Sequence, residues 1–295
     1  MKKFYIIVNP AGGKKKGLRI LDQVRPQFEK YKAKINVLKT AYAGHARDYA
    51  KTIDYKGYDG ICAVGGDGTM FELINGMLGR EDKKTLPLGL ITGGTGNAFM
   101  HDLDCLEPQR AVERILKCKQ RFIDVAEIVT DNKKYYSFNI IAWGLANDAA
   151  KLAEKLRIFG RFRYDIASVV EVIRGKKRIA RLSYGDTTID GDFVFIIGCN
   201  TIHTGKGMKM APKASIDDGK IDLIIVKKAS KLKLLKLFPK IFTGDHIKSK
   251  LVDYVQVKEF SINTDYNSSL MIDGEIIGNS PCSVKIHTKK ISVLV

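Results

Sequence analysis

The sequence predicts two domains: an α/β domain with a mostly parallel sheet over residues 1–122, and a β-rich sandwich over residues 123–295. In the first part, apolar runs alternate with helical segments, the pattern of a parallel sheet covered on both faces. In the second part, short β-rich runs are separated by Asp/Gly turns, which favours an antiparallel sandwich or barrel. A chain of 295 residues is long enough to give both domains a core. Whether the last strand returns to the first domain is left open.

The predicted elements of the first domain follow one another as strand, turn and helix. The predicted strands are residues 4–8, 35–40, 60–64 and 87–91. The predicted helices are residues 18–31, 46–53 and 71–78. This alternation places the carboxyl ends of the strands, and the loops that follow them, along one edge of the sheet.

Glycine-rich turns follow three of these strands, at residues 9–13, 65–69 and 92–97. Glycine lets the backbone bend sharply and approach a ligand closely, and a helix N-terminus after such a turn suits a phosphate. The turns match neither the GxxxxGK[ST] phosphate loop nor the GxGxxG dinucleotide loop. A nucleotide-binding crevice at this edge of the sheet is the favoured interpretation.

Asp67 lies in the middle of the second turn. A carboxylate there would repel a phosphate unless it holds a metal or takes a proton, so Asp67 is the first candidate for chemistry. The alternative is a tight turn in which Asp67 caps the following helix.

The second domain is predicted to open with a hairpin, residues 122–129 and 135–141, around the turn at Asp131-Asn132. Residues 145–174 are predicted to be helical, with an interruption near Gly160. The remaining predicted strands are residues 180–184, 192–199, 221–226, 255–263, 270–272 and 284–287.

Residues 231–242 have the pattern of a basic amphipathic helix. Their apolar stripe is Leu234, Leu235, Phe238, Ile241 and Phe242. Lysines lie off this stripe, the form that binds anionic membranes. The alternative is a helix packed on the β-rich domain with a solvated lysine face. The basic run 174–178 either adds to the same surface or is a solvated turn.

The formal net charge of +18 indicates an anionic partner: a nucleic acid, a phosphorylated substrate or a membrane surface. Nucleic acid is disfavoured, because the aromatic residues are not interleaved with lysines in a recognition motif. Five cysteines without a CxxC pair indicate free thiols and a reducing compartment. No apolar run approaches a transmembrane length. The expectation is a cytoplasmic protein whose membrane contact is peripheral; a homodimer is left open.

The three turns together resemble the catalytic domain of the diacylglycerol kinase and sphingosine kinase family. The resemblance is carried by Gly65-Gly66-Asp67-Gly68-Thr69, Asn9-Pro10-Ala11-Gly12-Gly13 and Gly93-Gly94-Thr95-Gly96-Asn97. NAD kinases share the first of these motifs but lack a Gly-Thr-Gly-Asn turn of this kind. The resemblance implies an N-terminal domain like that of NAD kinases and diacylglycerol kinases, and a C-terminal β-rich sandwich.

Four later segments extend the resemblance over nearly the whole chain. Residues 139–148 are similar to the sphingosine kinase segment that ends in a lipid-contacting Asp, and residues 157–164 to the segment whose arginines approach the nucleotide phosphates. Residues 217–222 resemble the loop that carries a structural Mg²⁺ in bacterial diacylglycerol kinases. Residues 273–275 match the family's Asp-Gly-Glu motif, although a hairpin turn would have the same sequence.

The resemblance implies an ATP- and Mg²⁺-dependent kinase that phosphorylates the primary hydroxyl of a membrane lipid. The implied nucleotide-binding residues are Asn9, Gly12, Gly13, Thr40, Gly65, Gly66, Gly68, Thr69, Gly94, Thr95, Asn97, Arg157, Arg163 and Asp273. The implied metal ligands are Glu275 for the catalytic Mg²⁺, and Asp217 and Asp222 for the structural one. Asp67 is the implied general base, with Glu275 as its competitor.

Asp148 bears on the choice of lipid. A carboxylate in an apolar pocket would pair with the ammonium of a sphingoid base, which makes sphingosine the first expected substrate and diacylglycerol the second, followed by ceramide. The alternative is a surface Asp paired with Lys151. Two departures from the family pattern are Thr92, in place of a proline that would stiffen the third turn, and Ser215, in place of an acidic residue, which weakens the case for the structural metal.

Overall fold

The computed structural model describes residues 1–12, 15–94, 97–156, 158 and 163–295; residues 163–165 and 206 are described by their backbone alone. The described chain divides into two compact units. The first comprises Met1–Val125, Gly205–Gly207 and Thr288–Val295; the second comprises Ala126–Thr204 and Met208–His287.

The strands are, in chain order, β1 (Lys3–Val8), β2 (Lys34–Lys39), β3 (Gly60–Gly65), β4 (Leu88–Thr92), β5 (Gln120–Thr130), β6 (Lys133–Ser137), β7 (Ile140–Gly144), β8 (Ile179–Tyr184), β9 (Thr187–Cys199), β10 (His203–Thr204), β11 (Met208–Lys209), β12 (Ile221–Lys227), β13 (Val252–Val257), β14 (Glu259–Asn263), β15 (Ser268–Ile272), β16 (Glu275–Ser280) and β17 (Cys282–Leu294). The helices are α1 (Gly17–Lys30), α2 (His45–Thr52), α3 (Asp67–Leu78), α4 (Ala98–Asp102), α5 (Pro108–Lys117), α6 (Leu145–Lys155), α7 (Arg163–Arg174), α8 (Lys231–Leu237) and α9 (Lys240–Thr243).

The first unit is built on a parallel sheet in the order β17-β4-β3-β1-β2. In β1, alternate side chains point to opposite faces, and both faces are buried. Phe4, Ile6 and Val8 pack against apolar residues of α1 and α5. On the other face, the Tyr5 ring contacts Tyr49 of α2. The predicted parallel sheet with helices on both faces is confirmed.

The second unit consists of antiparallel strands that share the long strand β9. Its first half pairs with β8, which continues through β14 to β17. Its second half lies between β7 and β12, and these strands continue to β15-β16 and to β13. A core of aliphatic side chains fills this unit. The predicted antiparallel β-rich domain is confirmed.

Several predicted boundaries differ from the structure because tertiary pairing overrides the local pattern. The predicted strand 135–141 is two strands, since β6 pairs with β5 whereas β7 pairs with β9. The predicted strand 255–263 is likewise divided between β13 and β14. Helices α4 and α5 were not predicted. The predicted interruption near Gly160 lies outside the described residues.

The amphipathic segment 231–242 forms α8 and α9, and most of its apolar stripe faces inward. Ile241 is buried, and Leu234, Leu235 and Phe238 pack against the core of the second unit. The packed-helix alternative therefore describes these residues, and a membrane interaction through this stripe is wrong for them. Phe242 alone of the stripe is exposed.

Candidate functional site

The carboxyl ends of β1, β3 and β4 lie side by side, and this brings the described parts of the three glycine turns together. The Gly65 carbonyl accepts hydrogen bonds from the N–H groups of Gly93 and Gly94 at 2.7 and 3.1 Å. Asn9, at the end of β1, donates its N–H to the Val64 carbonyl at 3.3 Å. The turns therefore lie together at one edge of the sheet, as predicted.

The second and third turns approach so closely that only glycine fits. A Cβ atom on Gly94 would lie 2.6 Å from the Gly66 Cα and 2.7 Å from the Asn97 Oδ1. A Cβ on Gly66 would in turn lie 3.0 Å from the Gly94 Cα. These glycines are therefore required by the backbone-to-backbone contact that forms the cradle.

We expect Gly94→Ala to lower the free energy of unfolding by about 1–3 kcal/mol, because the new methyl group must push the two loops apart. Urea unfolding of the purified protein measures this change. The matched control is Gly191→Ala in β9, where an added Cβ would meet only ordinary contacts at 3.8 Å or more. Equal stability of the two variants would show that the loops do not need their close contact.

Asp67 is the first residue of α3, but it does not cap that helix, so the helix-cap alternative is wrong as stated. Its carboxylate instead accepts the N–H groups of Ala98 at 2.8 Å and Phe99 at 3.4 Å, at the start of α4. Burial raises the pKa of Asp67, while these two amide hydrogen bonds act in the opposite direction. One short and one long bond leave the carboxylate with unused acceptor capacity.

The surroundings of Asp67 fit a phosphate-bearing ligand. Among the described residues, the N–H groups of Asp67 and Gly68 have no acceptor, and they point from a helix N-terminus. The buried Oδ1 of Asn97 has no donor within the described chain, although its Nδ2 donates to the Gly94 carbonyl at 3.0 Å. The cradle thus combines free donors with a free acceptor.

The first turn and two threonines complete the described part of the cradle. The Asn9 Oδ1 accepts the N–H groups of Ala11 and Gly12, both at 3.0 Å, which fixes the turn after β1. Thr40 follows β2 and donates its N–H to the Val8 carbonyl at 2.9 Å. Thr69 is buried in the first turn of α3, and its hydroxyl lies so close to Gly65 that a Cβ there would approach it to 2.6 Å.

Thr92 stiffens the third turn in a way that the sequence did not suggest. Its buried hydroxyl donates to the Leu106 carbonyl at 2.5 Å. The expectation that a threonine in place of proline loosens this turn is therefore not supported by its contacts.

Glu72 of α3 is a positioning residue that the sequence analysis missed. Its two carboxylate oxygens accept the N–H groups of Gly44 at 2.8 Å and Ala46 at 3.1 Å, at the N-terminus of α2. Gly76 lets the two helices meet, since a Cβ there would lie 2.3 Å from the Arg47 carbonyl oxygen. The only sign of this role in the sequence was a glutamate five positions after Asp67, within the predicted helix 71–78.

In the second unit, Asp273 and Gly274 form the tight turn of the β15–β16 hairpin, both with positive φ. The Asp273 carboxylate is fully engaged by its own chain. One oxygen accepts the Ser137 hydroxyl at 2.7 Å and the N–H groups of Asn139 and Ile140 at 3.1 and 2.8 Å. The other accepts the N–H of Phe138 at 3.0 Å. Burial raises the pKa of Asp273 to about 7, against these four hydrogen bonds.

The four donors correct the prediction that Asp273 contacts the nucleotide or its metal. Both oxygens hold the segment between β6 and β7, so Asp273 acts as a positioning residue. Glu275, the first residue of β16, is exposed. It remains the predicted metal ligand of the Asp-Gly-Glu motif.

Asp148, in the first turn of α6, has a partner that the sequence did not predict. Its Oδ2 accepts hydrogen bonds from the Nη2 of Arg178 at 2.8 Å and the Nε at 3.2 Å, and Lys176 lies 3.5 Å away. Lys151, the expected partner, instead donates to the Ser269 hydroxyl. Arg178 is only 4% exposed, so its reading as part of a solvated basic turn is wrong. No local pattern in the sequence indicates that Arg178 is buried.

Asp217 and Asp222, predicted to hold a structural metal, have protein partners. Asp217 accepts the Ser215 hydroxyl at 2.9 Å. Asp222 is buried and accepts the Tyr254 hydroxyl at 2.5 Å and the Gln256 amide at 3.1 Å, with burial raising its pKa. Within the described ranges, no three His, Cys, Asp or Glu side chains gather around one point. The Oδ2 of Asp222 is buried and has no donor within the described chain, so the structural Mg²⁺ at this loop stays a prediction.

The structure does not describe four of the predicted nucleotide-binding residues in full. Gly13, Thr95 and Arg157 lie outside the described residues, and Arg163 is described only as the first backbone position of α7.

Comparison with known proteins finds two family models that match successive parts of the chain. Residues 3–128 match the diacylglycerol kinase catalytic domain, and residues 139–295 match the YegS C-terminal NAD kinase beta sandwich-like domain. Sphingosine kinase 1 of Arabidopsis thaliana is 31% identical over 98% of this chain and 71% of its own length. A diacylglycerol kinase of Staphylococcus saprophyticus is 30% identical over 95% of this chain and 91% of its own.

A solved diacylglycerol kinase structure from Bacillus anthracis has the same fold, with a TM-score of 0.77 over 99% of this chain and 96% of that chain, at 23% identity. The glycine cradle around Asp67 is thus found in a chain that matches the catalytic domain and the sandwich domain over nearly its full length. The chain belongs to the lipid kinase family of the diacylglycerol kinase catalytic domain, whose members include sphingosine kinases and bacterial diacylglycerol kinases.

Proposed function

We propose that this lipid kinase transfers the γ-phosphate of ATP to the primary hydroxyl of an uncharged lipid alcohol of the diacylglycerol class. The observation that carries the proposal is the close contact of two glycine turns around Asp67, at the carboxyl edge of the parallel sheet. In this cradle, free N–H groups at the start of α3 would bind phosphate oxygens, and Asn9 and Gly12 would hold the adjoining turn in place.

Phosphoryl transfer needs positioning and charge neutralisation more than covalent chemistry. Mg²⁺ would neutralise charge on the ATP phosphates when bound, and Glu275 is the exposed carboxylate that would hold it. A single protein carboxylate suits Mg²⁺, which keeps several waters and binds largely through substrate phosphates. Thr40 and Thr95 would lie along the nucleotide, and Arg157 and Arg163 would neutralise the transferring group.

Asp67 would accept the proton of the lipid hydroxyl. Its raised pKa suits a general base. Among the described residues, its Oδ1 accepts one hydrogen bond, the 3.4 Å bond from the Phe99 N–H, which leaves room for a further one. Glu275 is the alternative base.

The Asp148–Arg178 pair favours an uncharged acceptor. A sphingoid ammonium would have to compete with a buried guanidinium that already binds the Asp148 carboxylate through two N–H groups. Diacylglycerol has no such cation and does not need a free carboxylate. Sphingosine, the first expectation from the sequence, becomes the second candidate; the 31% identity to a plant sphingosine kinase keeps it in consideration.

The test is ATP turnover with Mg²⁺ on mixed micelles that contain diacylglycerol, sphingosine or ceramide, with NAD as a soluble control acceptor. We expect the highest kcat/KM with diacylglycerol. A higher kcat/KM with sphingosine would transfer the proposal to the second candidate, and turnover of NAD alone would contradict it.

Asp148→Asn distinguishes the two lipid candidates. Because Arg178 already balances the charge of Asp148, we expect kcat/KM for diacylglycerol and for sphingosine to fall by similar factors. The ratio of the two values should change by less than about tenfold, which is the smallest effect expected if one lipid alone lost a hydrogen bond to a charged group. A selective loss of sphingosine turnover would show that Asp148 binds the amine. Thermal unfolding confirms that the variant is folded.

The cytoplasmic location stays a prediction. Among the described helices, none has the length and apolar character needed to cross a membrane.

A further inference from the structure

Three charged side chains from separate elements of the second unit meet at Arg178. Asp148 lies in the first turn of α6, Glu171 lies near the end of α7, and Arg178 directly precedes β8. The Arg178 Nη2 lies 2.8 Å from the Asp148 Oδ2 and 3.9 Å from the Glu171 Oε2. One nearly buried cation therefore lies between two carboxylates.

Arg178 is held in place by contacts other than the one with Asp148. Its N–H donates to the Asp192 Oδ1 at 2.8 Å, and its Nη1 donates to the Lys176 carbonyl at 3.1 Å. Its aliphatic stem lies against Gly144, where an added Cβ would approach the Arg178 Cδ to 3.4 Å. A guanidinium fixed at both ends is preorganised, so a ligand cation does not displace it at low cost.

The Asp148 carboxylate is engaged through one oxygen. Its contacts with Arg178 and Lys176 all fall on Oδ2. Among the described residues, no donor contacts Oδ1, and the Asp148 side chain is 18% exposed. A ligand can therefore reach Asp148 from the solvent, while Arg178 covers it from the protein interior.

The charge balance around Asp148 decides which ligand group can bind there. Arg178 is shielded from water and neutralises Asp148 strongly, whereas the Lys176 side chain is 59% exposed and contributes little. An incoming ammonium would meet a neutralised carboxylate with a like charge directly behind it. Without Arg178, Glu171 would keep its contact with Arg174, but Asp148 would keep only Lys176. A ligand ammonium would then be attracted to Asp148.

We propose that Arg178 determines the specificity of the lipid site, because its guanidinium takes the place that a substrate ammonium would otherwise occupy beside Asp148. The lipid alcohol selected by the wild type is then one without an amine. Loss of the guanidinium alone converts the site to one that prefers an amine-bearing lipid alcohol. The inference rests on the proposed function, since it names the residue that selects the acceptor of that reaction.

The test is isothermal titration calorimetry of the full chain with two matched lipids in the same detergent micelles. The lipids are a sphingoid base and its N-acetyl derivative, which share their hydroxyl groups and differ in the charge on nitrogen. The selectivity is the affinity for the base divided by the affinity for the N-acetyl lipid. Arg178→Met keeps the aliphatic stem without the charge. We expect it to raise the selectivity on the order of 10–100-fold, the effect of one hydrogen bond to a charged group.

Three further variants show whether the gain comes from Asp148. In Asp148→Asn/Arg178→Met the selectivity should return to that of the wild type, because the carboxylate is gone. Arg181→Met, the matched control, removes an exposed arginine of β8 that binds Asp190 through two N–H groups, and it should keep the wild-type selectivity. Arg178→Lys restores the cation and should largely restore the selectivity of the wild type. A gain that persists in the double variant, or an equal gain in Arg181→Met, would overturn the proposal.

Thermal unfolding shows whether Arg178→Met is folded, since the substitution leaves two carboxylates without their shared cation. If it is not, Glu171→Gln/Arg178→Met removes one of these carboxylates and carries the same prediction. A folded variant of either kind with unchanged selectivity would overturn the proposal, as would the absence of binding of both lipids by every variant.

The binding measurement does not depend on turnover, which keeps this inference apart from the proposed function. If the wild type phosphorylates no lipid while Arg178→Met gains selectivity for the base, the proposed function is contradicted and the assignment of Arg178 stands. If the wild type phosphorylates diacylglycerol while Arg178→Met gains no selectivity, the assignment of Arg178 alone is overturned.

Discussion

Asp67→Asn is expected to lower kcat by about 10²–10⁴-fold, the range that a positioned general base contributes. Asparagine keeps the size of the side chain and one carbonyl oxygen, which would continue to accept the Ala98 N–H now 2.8 Å from the carboxylate. It does not take a proton from a lipid hydroxyl. The measurement is the initial rate of lipid phosphorylation at saturating ATP and Mg²⁺.

A control separates loss of the base from loss of structure. Asp59→Asn makes the same chemical change in a carboxylate that also accepts a backbone N–H, that of Lys3 at 2.7 Å, in the same unit. We expect near wild-type kcat for this control and similar thermal unfolding for both variants. If Asp67→Asn turns over lipid at the wild-type rate while Glu275→Gln does not, the base is Glu275.

Asp273→Ala is expected to lower the free energy of unfolding by at least about 3 kcal/mol at neutral pH. The substitution leaves four buried donors without their acceptor, and each such group costs about 1–3 kcal/mol unless water replaces the lost partner. Urea unfolding at constant m value measures the change. Asp253→Ala, which removes an exposed carboxylate from β13, is the control and should change stability by less than about 0.5 kcal/mol.

The pH dependence of this difference is a second readout of the same substitution. The pKa of Asp273 is raised from 3.8 to about 7 in the folded protein, so the folded state binds the proton more tightly than the unfolded state. The contribution of Asp273 to stability is then fully present below about pH 4 and declines as the pH rises to about 7. We expect the gap between wild type and Asp273→Ala to narrow over that range. A gap that widens with rising pH would show that the ionised form is the one the four donors stabilise.

The parallel-sheet domain was predictable because its signals are local. Apolar runs, glycine turns and helices succeed one another along the chain, and parallel connections place the turns at one edge. The cradle at Gly66, Asp67 and Gly94 followed from that rule alone. The contact of Asp67 with the start of α4 did not, because α4 is too short to give a periodic signal.

The second unit was harder to predict because its partners are distant in sequence. Arg178 meets Asp148 across 30 positions, and Asp273 meets Ser137 across 136. Neither pair follows a rule of sequence spacing. The basic run was therefore expected to be solvated, and Asp273 of the Asp-Gly-Glu motif was expected to contact the nucleotide. The apolar stripe of residues 231–242 was identified correctly, but periodicity does not say whether a stripe faces a core or a membrane.

The most direct test of phosphoryl transfer at Asp67 follows the γ-phosphate of labelled ATP into the lipid phase, with Mg²⁺ and diacylglycerol micelles, for the wild type and Asp67→Asn. We expect labelled phosphatidic acid with the wild type and at least a hundredfold less with the variant. Label that stays in the aqueous phase with every lipid offered, or equal lipid labelling by the two proteins, would contradict it.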